Sequence, residues 1–480
     1  MLLLVLNTGR STHTQDTEQS RISEAQTSSY IPSDLERRGQ ATAIIISTLL
    51  LRIAGRISFV LLGFYLGTHF TSATAVALVL EAFYVTELLF APPVGSFSDR
   101  KGRRPFLLAA PLVGCVAALC FMSAAFLFPR PNGHIFTLQS IILLFFILVG
   151  RLLEGTTTAL NTPASLGYIT DITTGANVLR GRVMTAFEVA TVGGLVLAIP
   201  LGGRISSAIG IYGFFVVVAL HLLNAAIIAR FVKERPQRDT HSAHGSLFES
   251  IKLLGNRRVF TFLPAWLCIN ALVGAWITLG LLLMTYPDPA ADIRHPGQLL
   301  YGGFSLTFAT LLLGGFGLVF LLGMGLWTPF LSRLRRTTIM LIGLGGLIIT
   351  IIALTFVNSL AENPTQVSSN AIPPLLVLVP LAICGVMLLS GFTPASLTQM
   401  AAISETLPGK RGAVMGLYSI VLGVGQLLGA SLGGVFVDRN GFYGLMSFSV
   451  FMGLCSLGSV LYMRFHRHDC IHVGASTSSA

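Results

Sequence analysis

Twelve apolar stretches, each about the length that crosses a bilayer, decide most of what this chain can fold into. They run near 41–66, 75–95, 105–128, 137–164, 182–203, 211–232, 259–285, 302–327, 338–357, 373–400, 412–436 and 442–463. A membrane α-helix needs roughly 20 mostly apolar residues, because lipid offers no partner for backbone N–H and C=O groups. Charged residues are only 11% of the 480, against about a quarter in a soluble protein. Polar groups therefore cannot cover the surface, and lipid must solvate most of it. The alternating segments of a membrane β-barrel are not seen in the sequence. The expected fold is all-α and polytopic.

The chain also repeats itself. Thr162-Pro163-Ala164-Ser165-Leu166 recurs as Thr393-Pro394-Ala395-Ser396-Leu397, an offset of 231. The offset holds without a gap through Arg180-Gly181 and Arg411-Gly412, Gly194 and Gly425, Leu201-Gly202-Gly203 and Leu432-Gly433-Gly434, and Gly210 and Gly441. Over 162–213 it gives 18 identities in 52 positions. The duplication divides the chain into a tail at 1–40, a six-helix lobe at 41–232, a linker at 233–258, a second six-helix lobe at 259–463 and a tail at 464–480. An even number of helices per half gives both halves the same orientation, as parallel repeats about an axis along the membrane normal.

The net charge of +11 suggests nucleic acid only until it is mapped. Of the 31 Lys and Arg, 24 fall at one set of helix ends; Arg130, Arg204, Arg294 and Arg439 fall at the other, and Arg52, Arg56 and Arg151 lie inside helices. This is the positive-inside bias. It predicts cytoplasmic termini in a plasma-membrane protein and no nucleic-acid partner. The six cysteines form no CxxC pair and read as small apolar filler rather than metal or redox sites. Neither a Walker loop nor an H-E-x-x-H pair occurs; no cofactor, metal or enzymatic centre is expected, and the expected assembly is a monomer.

The loop after the second stretch reads Gly95-Ser96-Phe97-Ser98-Asp99-Arg100-Lys101-Gly102-Arg103-Arg104. It resembles the G-x-x-x-D-R-x-G-R-R loop of the major facilitator superfamily of transporters. Gly95 suits close helix approach, Gly102 a tight turn, Asp99 a gating bond, and Arg100, Arg103 and Arg104 headgroup contacts. The equivalent loop of the second half, Thr328 to Arg336, keeps arginines but has Ser332 in place of the aspartate and is one residue short. Arg151-Leu152-Leu153-Glu154-Gly155, followed at 159 by Ala, resembles the family's R-x-x-Q-G-x-x-x-A motif, which implies proton coupling, with Glu154 where Gln is usual. Gly194 to Gly203 is a degraded copy of the antiporter motif, its proline displaced by one.

Ionisable residues at bilayer depth cost ~2.5–3.5 kcal/mol on insertion scales and mark function by default. Arg52 and Arg56 lie four apart on the first stretch, Glu81 and Glu87 on the second, Arg151 and Glu154 on the fourth and Glu188 on the fifth. Depth along antiparallel helices pairs Arg56 with Glu81 and Arg52 with Glu87. Under the 231 offset, Arg151, Glu154 and Glu188 map to Ala382, Gly385 and Ser419, and the second half shows no charge well inside a predicted helix. The expected division of labour puts protons in the first lobe, on Glu81, Glu154 and Glu188 with Arg56 and Arg151 as partners. The substrate path takes Arg52 and Glu87 together with Trp266, Asn270, Trp276, Gln399 and Gln426. His221 reads as a core residue. The function this implies is a secondary transporter of a small organic solute, with a lean to efflux of amphipathic compounds. Proton-coupled uptake and a non-transporting receptor are the alternatives.

Overall fold

The computed structural model describes residues 34–70, 72–128, 138–173, 177–234, 252–285, 297–331, 333–363, 366–367, 372–405 and 411–466. The helices are α1 Asp34–His69, α2a Ala73–Glu81, α2b Phe83–Lys101, α3 Arg104–Leu127, α4 Leu138–Ile172, α5 Asn177–Ile209 and α6 Gly213–Phe231 in the first half. In the second they are α7 Arg257–Thr285, α8 Leu306–Trp327, α9 Arg336–Asn358, α10a Ile372–Leu389, α10b Phe392–Glu405, α11 Arg411–Asn440 and α12 Phe442–Phe465. Eleven described stretches are long and apolar enough to cross a membrane, and one of them, the 43 residues of Val189–Phe231, contains both the latter part of α5 and all of α6. Counting α2a–α2b and α10a–α10b as one crossing each, the described residues make twelve. A short hairpin, Ala361–Asn363 with Gln366–Val367, follows α9.

Several helices outrun their apolar cores. α1 has 36 residues, which at 1.5 Å each is about 54 Å, well beyond a hydrocarbon layer of about 30 Å. It starts at Asp34, so seven residues read as tail belong to it. The polar linker falls largely at 235–251, outside the described residues. Leu138, Phe145, Phe260, Leu376 and Val377 are exposed, as lipid-facing positions must be.

The repeated letters sit at repeated contacts. Gly210 and Gly441 both take positive φ, 55° and 59°, in the turns from α5 to α6 and α11 to α12, a conformation that glycine adopts freely. Gly194 lets α5 onto α1, where a Cβ would lie 2.9 Å from Arg52 Cβ; Gly425 lets α11 onto α7, where a Cβ would lie 2.8 Å from Asn270 Cβ. Gly203 and Gly434 do something further: each meets the other half of the molecule, Gly203 at Thr310 of α8 and Gly434 at Thr74 of α2a. Two seams, α5 against α8 and α11 against α2, thus join the halves.

The lobes are closed at one end of these seams. The interlobe hydrogen bonds between described residues involve Ser72 to Tyr84 of α2, Ser207 of α5, Thr278 of α7, Thr307 of α8, and Gln426 and Asp438 of α11. All lie in the half of the bundle away from the termini. One apolar core runs across both lobes, including Leu62, Leu80, Trp266, Leu279 and Phe448. The first lobe's end nearest the termini has a separate core around Ile44, Leu107, Tyr168, Val183 and Ile228.

Candidate functional site

The intramembrane charges of the first lobe converge on the break in α2. The break falls at Ala82, with three-residue hydrogen bonds from Ala82 N to Val79 O and Val85 N to Ala82 O, and no glycine or proline causes it. Arg151, only 2% exposed, reaches across from α4 and donates to the carbonyl of Leu80 and to the carboxylate of Glu154. A side chain inserted into the helical ladder is a sufficient cause of a kink. The guanidinium also lies 4.7 Å from the ring centre of Phe83 and 5.9 Å from that of Phe59, so its faces are covered by aromatic carbon. Gly155 makes the approach possible: a Cβ there would overlap the Phe83 carbonyl, beside the bond that Thr86 Oγ1 donates to Leu152 O at 2.6 Å.

Arg56 is the common neighbour of the acids. It lies 5.3 Å from the Phe59 ring centre and acts electrostatically on Glu81, Glu87 and Glu154. Arg151 acts on Glu81 and Glu154, and Arg52 on Glu87. Three arginines and three glutamates therefore balance in one cluster, with Arg52, Arg56 and Glu87 half-buried and Arg151, Glu81 and Glu154 buried. The expected pairs are electrostatic neighbours, but the direct ion pair among them is Arg151–Glu154. The side chain of Glu188 lies outside the described residues.

Glu81 differs from the other two acids in facing the second lobe. Its carboxylate accepts a hydrogen bond from Thr278 of α7. One turn on, Tyr84 donates to the side-chain oxygen of Gln426 on α11. Of the five second-lobe residues assigned to a substrate path, Gln426 meets the first lobe. Trp276 donates to Ser449 Oγ at 3.0 Å and stacks on Phe316 within its own lobe. Asn270 donates to Trp266 O, one turn back on the same helix, at 2.8 Å, and Trp266 is buried. Gln399 accepts from Arg336 at 3.2 Å toward the terminal side. Asn270, Trp276 and Gln399 thus each hold a hydrogen bond within the second lobe.

A sequence model of the Major Facilitator Superfamily matches residues 44–302 and 298–469. The chain belongs to this superfamily. The chain is a multi-pass membrane protein of that superfamily. It is 27% identical over 168 residues to "Multidrug resistance protein 1" of Bacillus subtilis (strain 168), covering 35% of this chain and 38% of that protein. It is 30% identical over 150 residues to "Tetracycline resistance protein, class C" of Escherichia coli, covering 31% of this chain and 32% of that protein. The chain thus spans about a third of the length of these relatives. Among solved structures it is similar to the nucleoside transporter NupG, with TM-score 0.65, 13% identity and coverage of 89% of this chain and 99% of that one. It is also similar to a bacterial homologue of the human lysosomal transporter Spinster in an inward-facing, unoccupied conformation, with TM-score 0.64, 18% identity and coverage of 91% and 99%. These likenesses show the fold.

In this transporter the loop between α2b and α3 is tied into its own lobe. Arg103 Nε donates to Asp171 of α4 at 2.7 Å, and its guanidinium lies where any side chain on Gly167 would be. Arg104 donates to the Ala229 carbonyl of α6 at 2.9 Å. Both arginines thus bind neighbouring helices of their own lobe. Gly102 has φ 92° and lies against the Glu234 carboxylate. Gly95 brings α2b onto Pro163 of the repeated motif. Arg100 is exposed, and the side chain of Asp99 lies outside the described residues.

Sequence reading overlooked Thr278 and Tyr84, which carry no charge, and Asp438, which it placed beyond the end of its helix. α11 extends to Asn440, so Asp438 lies in its last turn. The 231 offset carried a signal, since it sets Asp438 against the neutral Ser207.

Proposed function

We propose that this transporter is a proton-driven exporter of small, amphipathic organic compounds, working by alternating access in the plasma membrane as a monomer with cytoplasmic termini. The observation that carries the reading is Glu81: a buried carboxylate of one lobe whose hydrogen-bond partner, Thr278, belongs to the other. A hydrogen bond to an ionised acceptor is about twice as strong as a neutral one, so proton uptake at Glu81 weakens the seam and proton release strengthens it. As the lobes rock, Glu81 exchanges the Thr278 hydroxyl for water, and the proton can be collected on one side and released on the other. Glu154, held by Arg151, is the second proton site, and Glu188 the third. The likeness to two resistance proteins favours export. The interlobe hydrogen bonds away from the termini support a state that is shut on that side.

Glu81→Gln keeps the shape and an acceptor for Thr278 but removes the titrating group. In proteoliposomes it is expected to abolish pH-gradient-driven transport while substrate counterflow, which needs no net proton movement, continues. If Glu81→Gln, Glu154→Gln and Glu188→Gln each retain gradient-driven transport, the proton assignment is wrong.

A further inference from the structure

The far end of the α11–α2 seam carries an arrangement the central cluster does not use. A helix leaves its first four backbone N–H groups without partners. In α2a, Ser72 caps the helix in the ordinary way, accepting from Ala75 N at 3.2 Å. The remaining donors turn to the other lobe. Asp438 of α11 accepts from Ala73 N at 2.6 Å, Thr74 N at 3.2 Å, Thr74 Oγ1 at 2.6 Å and Ser72 Oγ at 2.9 Å. The backbone approach is close, since a Cβ on Gly434 would lie 2.6 Å from Thr74 Cα.

Local rules disfavour an acid at this place in α11. Asp438 sits in the last turn of a helix ending at Asn440, where the helix dipole opposes negative charge. The same dipole effect favours it at the start of α2a. A residue that breaks the rules of its own helix and satisfies those of another marks a contact serving a purpose beyond the local fold. The repeat makes the point sharper. In the other seam, Gly203 meets Thr310, and Ser207, four residues on, bonds Thr307 Oγ1 at 2.8 Å. The two seams share a glycine followed one turn later by a polar residue on the first turn of the opposite helix. One copy is a neutral hydroxyl pair and the other an ionic cap with four donors.

We propose that Asp438 is the interlobe latch of this transporter: it holds the side away from the termini shut, and its four bonds must be released for that side to open. The latch rests on the alternating-access reading above. Asp438 and Thr74 are half-buried, so water can replace each partner as the lobes part, which is what a reversible closure needs.

The test reads the far-side opening directly and needs no substrate. Nitroxides at Leu127→Cys and Phe356→Cys, exposed positions near the ends of α3 and α9 away from the termini, report the distance between lobes by pulsed electron resonance in a cysteine-free background. Asp438→Asn is expected to raise the ratio of long to short distances at least about tenfold, since bonds to a charged acceptor are lost. Thr74→Val, which removes one donor and leaves the aspartate in place, should raise it less, and Ser207→Ala less than Asp438→Asn. If wild type populates both distances and neither Asp438→Asn nor Thr74→Val changes their ratio, the latch is overturned and alternating access stands. If the short distance alone is present in every variant, both readings fall.

Discussion

Gly155→Ala is expected to cost about 1–3 kcal/mol or more through overpacking, with no charge altered. A methyl group there would overlap the Phe83 carbonyl, and backbone cannot turn aside as a side chain can. α2b must move off α4, which lengthens the bond from Thr86 to Leu152 and draws the Leu80 carbonyl away from Arg151. The expected signs are a lowered melting temperature in detergent and a loss of transport by whatever protein remains folded. Gly193→Ala is the matched control, because a Cβ at Gly193 meets nothing within 4 Å. Equal melting temperatures for the two variants would contradict the packing at the α2 break.

Arg151→Ala should be of similar or larger effect for a different reason. Removing one partner of a buried ion pair is strongly destabilising, by about 3–5 kcal/mol, because the other is left without compensation. Here the loss is threefold: Glu154 loses its partner, Leu80 O loses its donor, and the space between Phe59 and Phe83 empties. Arg151→Lys should recover only part, since an ammonium lacks the planar fork that serves two acceptors while stacking on rings. Thermal stability of purified protein and transport in vesicles separate the structural part from the functional part. A stable Arg151→Ala variant that transports as well as the parent would contradict this account of the cluster.

Much of this architecture was legible in the sequence, and the exceptions share a cause. Span number follows from apolar length alone. The doubled glycines were readable as packing positions, although only three dimensions show that Gly203 and Gly434 face the opposite lobe while Gly194 and Gly425 face their own. The kink in α2 was not legible. The obvious breakers, Pro92 and Pro93, sit inside a continuous helix, and the break comes ten residues earlier from a side chain on another helix. The clustering of Arg52, Arg56, Arg151, Glu81, Glu87 and Glu154 was foreseeable because intramembrane charges must find one another. The seam bonds from Thr278 and Tyr84 were not, because neutral polar residues in an apolar helix do not announce a partner. The contact of Arg103 over Gly167 was not legible either, because it depends on where α4 ends.

In the proposed function, movement of a solute is tied to a proton at Glu81. The most direct test is the internal pH of proteoliposomes as candidate amphipathic compounds are added, with wild type and Glu81→Gln side by side. The account predicts at least one compound that drives a pH change in wild-type vesicles and none in Glu81→Gln vesicles, with that compound still exchanging in both. A compound transported by wild type with no accompanying pH change, at a rate that a protonophore does not alter, would contradict it.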